Sequence, residues 1–144
     1  MLLAAEAMKP VLMELAGLAP SRFLVHSSKY EGFVESITAK VAKLKVGDGF
    51  EEGVQMGPLV NSRRLQVVTE LVDDAVANGA RLITGGHRIG NCGWFYAPTV
   101  LADAPLHAMV MHEEPFGPIA PCLPVDSMDE ALAIRNSLST GHAP

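Results

Sequence analysis

Helical and extended patterns alternate along the chain, and this alternation limits the fold more than any other feature. Two long segments repeat apolar residues at spacings of three and four, which predicts a helix with one buried stripe in each. The first stripe comprises Tyr30, Phe33, Val34, Ile37, Val41 and Leu44, and the second comprises Leu65, Val68, Leu71, Val72 and Ala75. Short apolar runs predict strands at 11–15, 22–26, 81–84, 95–101 and 119–125. Together these segments predict an α/β fold with a mostly parallel sheet flanked by helices.

Local signals predict where several of these elements begin and end. Ser28 with Glu31, and Ser127 with Glu130, have the capping-box spacing. At that spacing a serine and a glutamate satisfy backbone N–H groups at the start of a helix. Gly79 follows the second stripe, at the position where a left-handed residue closes a helix. The helix that follows Ser127 is expected to carry Ala131, Leu132 and Ile134 on its apolar side.

The composition excludes several classes of protein. The chain has 144 residues, of which 49% are hydrophobic, so it can bury the core of one domain. Its net charge of −5 is scattered, which argues against nucleic acid as a partner. No apolar run approaches the roughly 18 residues of a membrane span, so we expect no membrane partner. Cys92 and Cys122 lack CxxC spacing and the histidines are dispersed, which predicts a reducing cytoplasm, no disulfide and no metal site.

Glu14 is the first candidate for a catalytic group. The chain is expected to form a helix to Lys9 and then the strand at 11–15, near whose carboxyl end Glu14 lies. Ligands of open α/β sheets gather at the carboxyl ends of strands, where partial burial can turn a carboxylate into a general base. The alternative is a glutamate at the end of a strand that simply pairs with a lysine.

The segment "HEEPFGPIAP" holds the second group of candidates. Glu113 and Glu114 precede a rigid Pro-Phe-Gly-Pro loop. A carboxylate held in this way is suited to accept hydrogen bonds from two ribose hydroxyls, and Phe116 could pack its ring against a planar ligand. The alternative is a solvated acidic turn. Cys92 has no nearby cation or helix N-terminus to activate it, and Cys122 is predicted to be a small core residue.

Several segments together resemble the NAD(P)-dependent aldehyde dehydrogenases, with succinate-semialdehyde dehydrogenase as the most similar group. They occur in family order and cover nearly the whole chain: "MKPVLMELAG", "RFLVHSSKYEGFVESITAKVAKLKVGDGFEEGVQMGPLVN", "GARLITGG", "FYAPTVLAD", "HEEPFGPIAP" and "DEALAIRNS". In that family a cysteine thiolate attacks the aldehyde and hydride passes to NAD(P)+. A glutamate then activates the water that hydrolyses the thioester.

The resemblance implies a role for three residues. Glu14, within "ELAG", matches the general base of the family's E-L-G-G motif, although Ala16 replaces the first glycine of that motif. Glu114 matches the glutamate that binds the nicotinamide ribose, and Phe116 matches the phenylalanine that flanks the nicotinamide. The implied cofactor is NAD or NADP, and the implied substrate is a small-molecule aldehyde such as succinate semialdehyde.

The chain also departs from the family pattern. The family places a few dozen residues, ending in the G-Q-x-C loop with the catalytic cysteine, before the "RFLVH" strand. Here "ELAGLAP" runs directly into "SRFLVH". We therefore expect an internally deleted and truncated fragment that lacks the nucleophile and is inactive alone. Residues 1–20 are interpreted as a remnant of the cofactor-binding domain, and residues 21–144 as a partial catalytic domain.

Two alternatives stay open at this stage. The chain could be a non-catalytic interaction module derived from the catalytic domain, or an unrelated α/β enzyme that uses Cys92 or another residue. Missing segments would leave sheet edges exposed, which favours pairing between strands of different chains. Partners of this kind would be a second copy of the chain, as a homo-oligomer, or a full-length relative.

Overall fold

A computed structural model describes residues 22–138, which form a four-stranded sheet with helices on both faces. In chain order the elements are β1 (Phe23–His26), α1 (Ser27–Val41), α2 (Ser62–Ala77), β2 (Arg81–Thr84), β3 (Thr99–Ala102), α3 (Met109–His112), β4 (Ile119–Val125) and α4 (Met128–Ser137). The strand order is β1-β4-β3-β2. β4 pairs in parallel with β1 and β3, whereas β2 is antiparallel to β3. The predicted α/β fold with a mostly parallel sheet is confirmed.

The two faces of the sheet bury separate apolar clusters. On one face Val100 and Ala102 of β3 pack against the stripe of α1, which contributes Tyr30, Phe33, Val34 and Ile37. On the other face Leu101 packs with residues of α2, α3 and α4. Consecutive residues of a strand point to opposite faces, so β3 supplies both clusters, and all four of its residues are buried. The helical stripes predicted from spacing are thus the buried faces of α1 and α2.

The two predicted capping boxes have different outcomes. Ser127 is the N-cap of α4, and its hydroxyl accepts a hydrogen bond from the Glu130 N–H at 3.1 Å, as predicted. At α1 the prediction is wrong, because the helix already begins at Ser27 and its N-cap is His26. The His26 imidazole accepts from the Ser28 N–H at 3.2 Å. Glu31 instead forms an ion pair with Arg81 of β2 at 3.2 Å.

The predicted ends and stripes of the helices need two further corrections. α1 ends at Val41, so Leu44 lies beyond the helix rather than on its stripe. In α4, Leu132 is exposed, and the buried stripe is completed by Leu138 after the helix ends. Gly79 has a φ of 108° just after the C-cap of α2, so a residue of positive φ closes that helix as predicted.

β4 contains Pro121 and Pro124 although it lies between two strands, where proline would normally remove a ladder hydrogen bond. The Cys122 carbonyl accepts from the Ala104 N–H on the β3 side at 3.1 Å, so even-numbered residues of β4 face β3 and odd-numbered residues face β1. Pro124 therefore faces β3 beyond that strand's last registered pair, and Pro121 faces β1 one residue before the first pair, which includes Phe23. Each proline occupies a position where the neighbouring strand has no pair to lose.

The predicted helix to Lys9, the strand at 11–15 and the division of the chain at residue 20 lie outside the described residues. Within 22–138, no helix combines the length and the apolar character needed to cross a membrane.

Candidate functional site

The loop 113–118 connects α3 to β4 at the amino edge of the parallel strands. α3 is anchored to α2 because the Asp74 carboxylate accepts a hydrogen bond from the Met109 N–H at 2.7 Å. Val110 and Met111 of α3 are buried in the core. At the other end, the loop runs straight into Ile119 of β4. Both ends of the loop are thus fixed by packed elements.

Phe116 has a backbone conformation that is rare for its residue type. Its φ is 41°, and its side chain remains 68% exposed. A bulky residue at positive φ is a steric outlier, and such strain concentrates at functional sites when the surrounding structure enforces it. The ring gains little burial in return for this strain, so the loop presents an aromatic face to solvent.

The residues on either side of Phe116 hold this conformation. Pro115 is buried. Gly117 packs so closely on α2 that an added Cβ would lie 2.5 Å from the Cγ2 of Val68, a fully buried residue of that helix. Glycine is therefore needed at 117 for close approach rather than for a positive φ. The loop is clamped on both sides of the exposed ring.

Two arginines from different elements reach the loop backbone. Arg22, just before β1, donates from Nη2 to the Glu113 carbonyl at 3.5 Å. Arg64, in the first turn of α2, donates from Nη1 to the Pro115 carbonyl at 3.4 Å. The guanidinium carbon of Arg64 also lies 5.3 Å from the centroid of the Phe116 ring, within the range of a cation–π interaction. Neither arginine was among the functional residues predicted from the sequence.

Glu114 and Glu113 lie in different environments, although they are adjacent in sequence. Glu114 is half-buried and Glu113 is exposed. Burial lowers the pKa of Arg22, and the negative charge of Glu114 opposes that shift, so the two groups interact electrostatically. The Nε of Arg22 is buried and has no hydrogen-bond partner among residues 22–138. The structure thus brings Glu114 and Phe116 together in one loop, with a cation on each side.

The loop suits the nicotinamide-ribose end of a dinucleotide. A carboxylate can accept hydrogen bonds from both hydroxyl groups of a ribose, and an exposed aromatic face can pack against a planar ring. The chain contains no GxGxxG segment for the pyrophosphate end. The described residues therefore fit one end of NAD(P) and offer no phosphate-binding motif for the other.

The other candidates lie elsewhere. Glu14 falls outside the described residues, so its predicted position near a strand's carboxyl end is untested. Cys122 is buried in β4, and burial raises the pKa of its thiol to about 12, as expected for an unreactive core residue. Cys92 is exposed in the loop between β2 and β3. In the described part of the chain, no group of three or more His, Cys, Asp or Glu side chains could hold a metal ion.

Comparison with known proteins identifies the family of the chain. The model of the aldehyde dehydrogenase family matches residues 14–144. The chain belongs to this family. Its match begins at Glu14 and includes the whole loop with Glu114 and Phe116. The alternative of an unrelated α/β enzyme is therefore wrong.

Individual proteins are also similar to the chain in sequence and in structure. The chain is 46% identical over 84% of its length to 4-(hydroxymethyl)benzenesulfonate dehydrogenase of Comamonas testosteroni, of which it covers 25%. It is 36% identical over 97% of its length to mitochondrial succinate-semialdehyde dehydrogenase of Rattus norvegicus, of which it covers 33%. An NAD+ complex of aldehyde dehydrogenase from Bacillus cereus superposes with a TM-score of 0.80 at 34% identity, covering 84% of this chain and 25% of that one. The chain thus spans about a quarter to a third of the length of these relatives.

Proposed function

We propose that the chain carries part of the site of an oxidoreductase that oxidises an aldehyde to a carboxylic acid with NAD(P)+ through a cysteine thioester. The observation that carries this proposal is Phe116, a strained aromatic residue that is held by its neighbours and exposed beside a half-buried carboxylate. A loop of this kind, in a chain of the aldehyde dehydrogenase family, supports contact with the nicotinamide end of the cofactor. The bound cofactor would accept the hydride.

The residues of this chain would bind and orient the cofactor. The Glu114 carboxylate would accept hydrogen bonds from the two hydroxyls of the nicotinamide ribose. Phe116 would flank the nicotinamide and limit its rotation. Positioning of this kind contributes to catalysis because the reacting atoms must lie within about 3–3.5 Å of each other in the right orientation. Glu14, which belongs to the same family match, is proposed as the general base that activates water.

The nucleophile is proposed to be missing from this chain. The alignment with the rat relative spans 172 positions, which exceeds the 144 residues of the chain, so at least 28 positions of that relative lie opposite gaps. A deletion between "ELAG" and "RFLVH" would account for gaps of this size and would include the cysteine loop. Loss of a nucleophile costs about six powers of ten in rate in subtilisin, a well-measured case. We therefore propose that the isolated chain is inactive.

The proposed substrate is an anionic aldehyde, with succinate semialdehyde as the specific candidate. Two relatives carry names that denote anionic molecules, one a carboxylate and the other a sulfonate. The cytoplasmic location stays a prediction, since the rat relative is mitochondrial by name.

A turnover assay tests the proposed loss of activity. The 144-residue chain is incubated with succinate semialdehyde or propanal and with NAD+ or NADP+, and the appearance of NAD(P)H is followed at 340 nm. The expected result is no rate above that of a blank without protein. A robust rate that Glu14→Gln abolishes would overturn the proposal, because it would show a complete site in this chain.

Pairing with a second copy or with a full-length relative is proposed as a second property. Among the described residues, β1 and β2 are the outer strands of the sheet, and each pairs with one neighbour. Size-exclusion chromatography of the chain alone, and of the chain mixed with a full-length aldehyde dehydrogenase, tests this proposal. Elution at the monomer position in both runs would contradict it.

A further inference from the structure

We propose that Arg64, assisted by Arg22, is a positioning residue that holds Glu114 and Phe116 in their binding conformation. The inference deepens the proposed function and rests on it for the identity of the ligand. Neither arginine needs to touch the cofactor in this account. They act on the loop backbone, one on each side of Glu114.

The contacts of the arginines bracket the glutamate. The carbonyl of Glu113, the residue before it, accepts a hydrogen bond from Arg22, and the carbonyl of Pro115, the residue after it, accepts one from Arg64. The two arginines belong to segments about forty residues apart in sequence, which the fold brings to the same loop. A peptide held by its two flanking carbonyls loses much of its freedom to rotate. The side chain between them is then aimed in one direction.

Arg64 also acts on the exposed ring. Its guanidinium carbon lies 5.3 Å from the centroid of Phe116, so one side chain contacts both the carbonyl before the ring and the ring itself. A planar guanidinium can donate a hydrogen bond and stack on an aromatic face at the same time, which a lysine ammonium does less well. This double contact offsets part of the backbone strain at Phe116.

Electrostatics support the assistance from Arg22. Its partial burial would favour the neutral form, and the negative charge of Glu114 opposes this. The same attraction keeps the Glu114 carboxylate near the loop rather than free in solvent. Arg22 contacts the Glu113 carbonyl, whereas Arg64 contacts both a carbonyl and the Phe116 ring, so the effect of Arg22 is expected to be smaller than that of Arg64.

The neighbouring Arg63 provides a matched control. It is exposed and lies in the same turn of α2, and the part of the chain that the structure describes gives it no hydrogen bond, ion pair or ring contact. Arg63→Ala and Arg64→Ala remove the same charge from adjacent positions. Any difference between the variants therefore reports the contacts of Arg64 and not the net charge.

The first measurement is made without any ligand. Backbone 15N relaxation of the 144-residue chain gives order parameters for the amides of Glu114 and Phe116. We expect values near 0.85 in the unchanged chain and in Arg63→Ala, and lower values in Arg64→Ala. The order parameters of Arg64→Lys should fall between these values, because lysine keeps the positive charge but lacks the planar guanidinium group. Equal order parameters in all variants would overturn the proposal.

The second measurement uses nicotinamide mononucleotide as the probe. At a temperature where both proteins are fully folded, Arg64→Ala should weaken its binding about tenfold, the effect of one hydrogen bond to a charged group. Arg63→Ala should bind as the unchanged chain does. If the unchanged chain binds and Arg64→Ala binds equally well, the positioning role is wrong while the proposed function stands. If Arg64→Ala loosens the loop but no variant binds the probe, positioning stands and the proposed ligand is wrong.

Discussion

Asp103 and Phe116 are the two residues other than glycine that have a positive φ in the described part of the chain, and they differ in what surrounds them. The φ of Asp103 is 53° and that of Phe116 is 41°. Aspartate tolerates this conformation better than most residues, whereas phenylalanine does not. The two residues differ in that the contacts of Asp103 stabilise the fold, whereas the side chain of Phe116 is exposed.

At Asp103 the strained residue makes the stabilising contacts itself. Its N–H donates to the Tyr30 hydroxyl at 2.6 Å, and that hydroxyl donates to the Cys122 carbonyl at 3.1 Å. Its carboxylate accepts from the Arg81 Nε at 2.5 Å. These bonds tie α1 to β2, β3 and β4. The conformation of Asp103 is thus part of the packing of the sheet.

At Phe116 the neighbours make the stabilising contacts. Pro115 is buried and Gly117 packs on Val68, while the ring of Phe116 stays largely exposed. Little of the fold depends on that ring. The difference is consistent with the proposed contact between the exposed ring and a ligand.

The largest effect is expected at the Asp103 junction. Tyr30→Ala should lower the free energy of unfolding by about 3–5 kcal/mol, because it removes a buried ring and a bridging hydroxyl. Tyr30→Phe keeps the ring and should cost about 1–3 kcal/mol, because the Asp103 N–H loses its partner. Urea denaturation measures both values. A neutral Tyr30→Phe would show that the hydroxyl bridge does not stabilise the junction.

A smaller loss is expected in the site loop. Gly117→Ala should lower the free energy of unfolding by about 1–3 kcal/mol, because the new methyl group would overlap Val68. Gly32→Ala is the matched control, since its added Cβ would meet no described atom within 4 Å. That control should be neutral or slightly stabilising in the same urea titration. Equal losses in both variants would contradict the close packing at Gly117.

The pH dependence of stability adds a third test, at the Asp103 side of the comparison. Burial raises the pKa of the Cys122 thiol to about 12 and also raises that of the Tyr30 hydroxyl. The unfolded chain then releases these protons at lower pH than the folded chain does. The contribution of the two groups to the free energy of unfolding is therefore fully present below about pH 8.5 and decreases as the pH rises toward 12. By pH 10 the loss should be about 1 kcal/mol or more.

Urea titrations between pH 7 and 10 check this dependence. Cys122→Ala should show a shallower decline, because one of the two shifted groups is gone. If the decline has the same slope in Cys122→Ala, the thiol does not contribute.

The smallest effect on stability is expected at the exposed ring. Phe116→Gly should be more stable than Phe116→Ala by about 1 kcal/mol, because only glycine relieves the positive φ. Both variants lose the ring, so their difference isolates the backbone strain. Thermal or urea unfolding measures it. If the alanine variant is as stable as the glycine variant, Phe116 is not strained.

Local features of the sequence predicted much of the fold. The stripes of α1 and α2, the residue of positive φ at Gly79 and the cap at Ser127 depend on neighbours within a few residues. The start of α1 could not be predicted in this way. Glu31 pairs with Arg81, fifty residues away, so the apparent capping box has no glutamate to complete it.

The site was predicted in part. Glu114 and Phe116 were found because "EEPFGP" carries the family resemblance, and the structure brings them into one loop. The positive φ of Phe116 and the contacts of Arg22 and Arg64 with the loop could not be predicted. They depend on three separate segments meeting at the amino edge of the sheet. Glu14 stays a prediction, because it lies outside the described residues.

The most direct test of the account is a titration of the chain with nicotinamide mononucleotide, followed by 1H–15N NMR. Glu114→Gln and Glu113→Gln form the matched pair, since each removes one negative charge from adjacent positions of the loop. The account predicts saturable shifts in residues 113–117, about tenfold weaker binding in Glu114→Gln, and unchanged binding in Glu113→Gln. No saturable shift in the unchanged chain, or equal weakening by both variants, would contradict it.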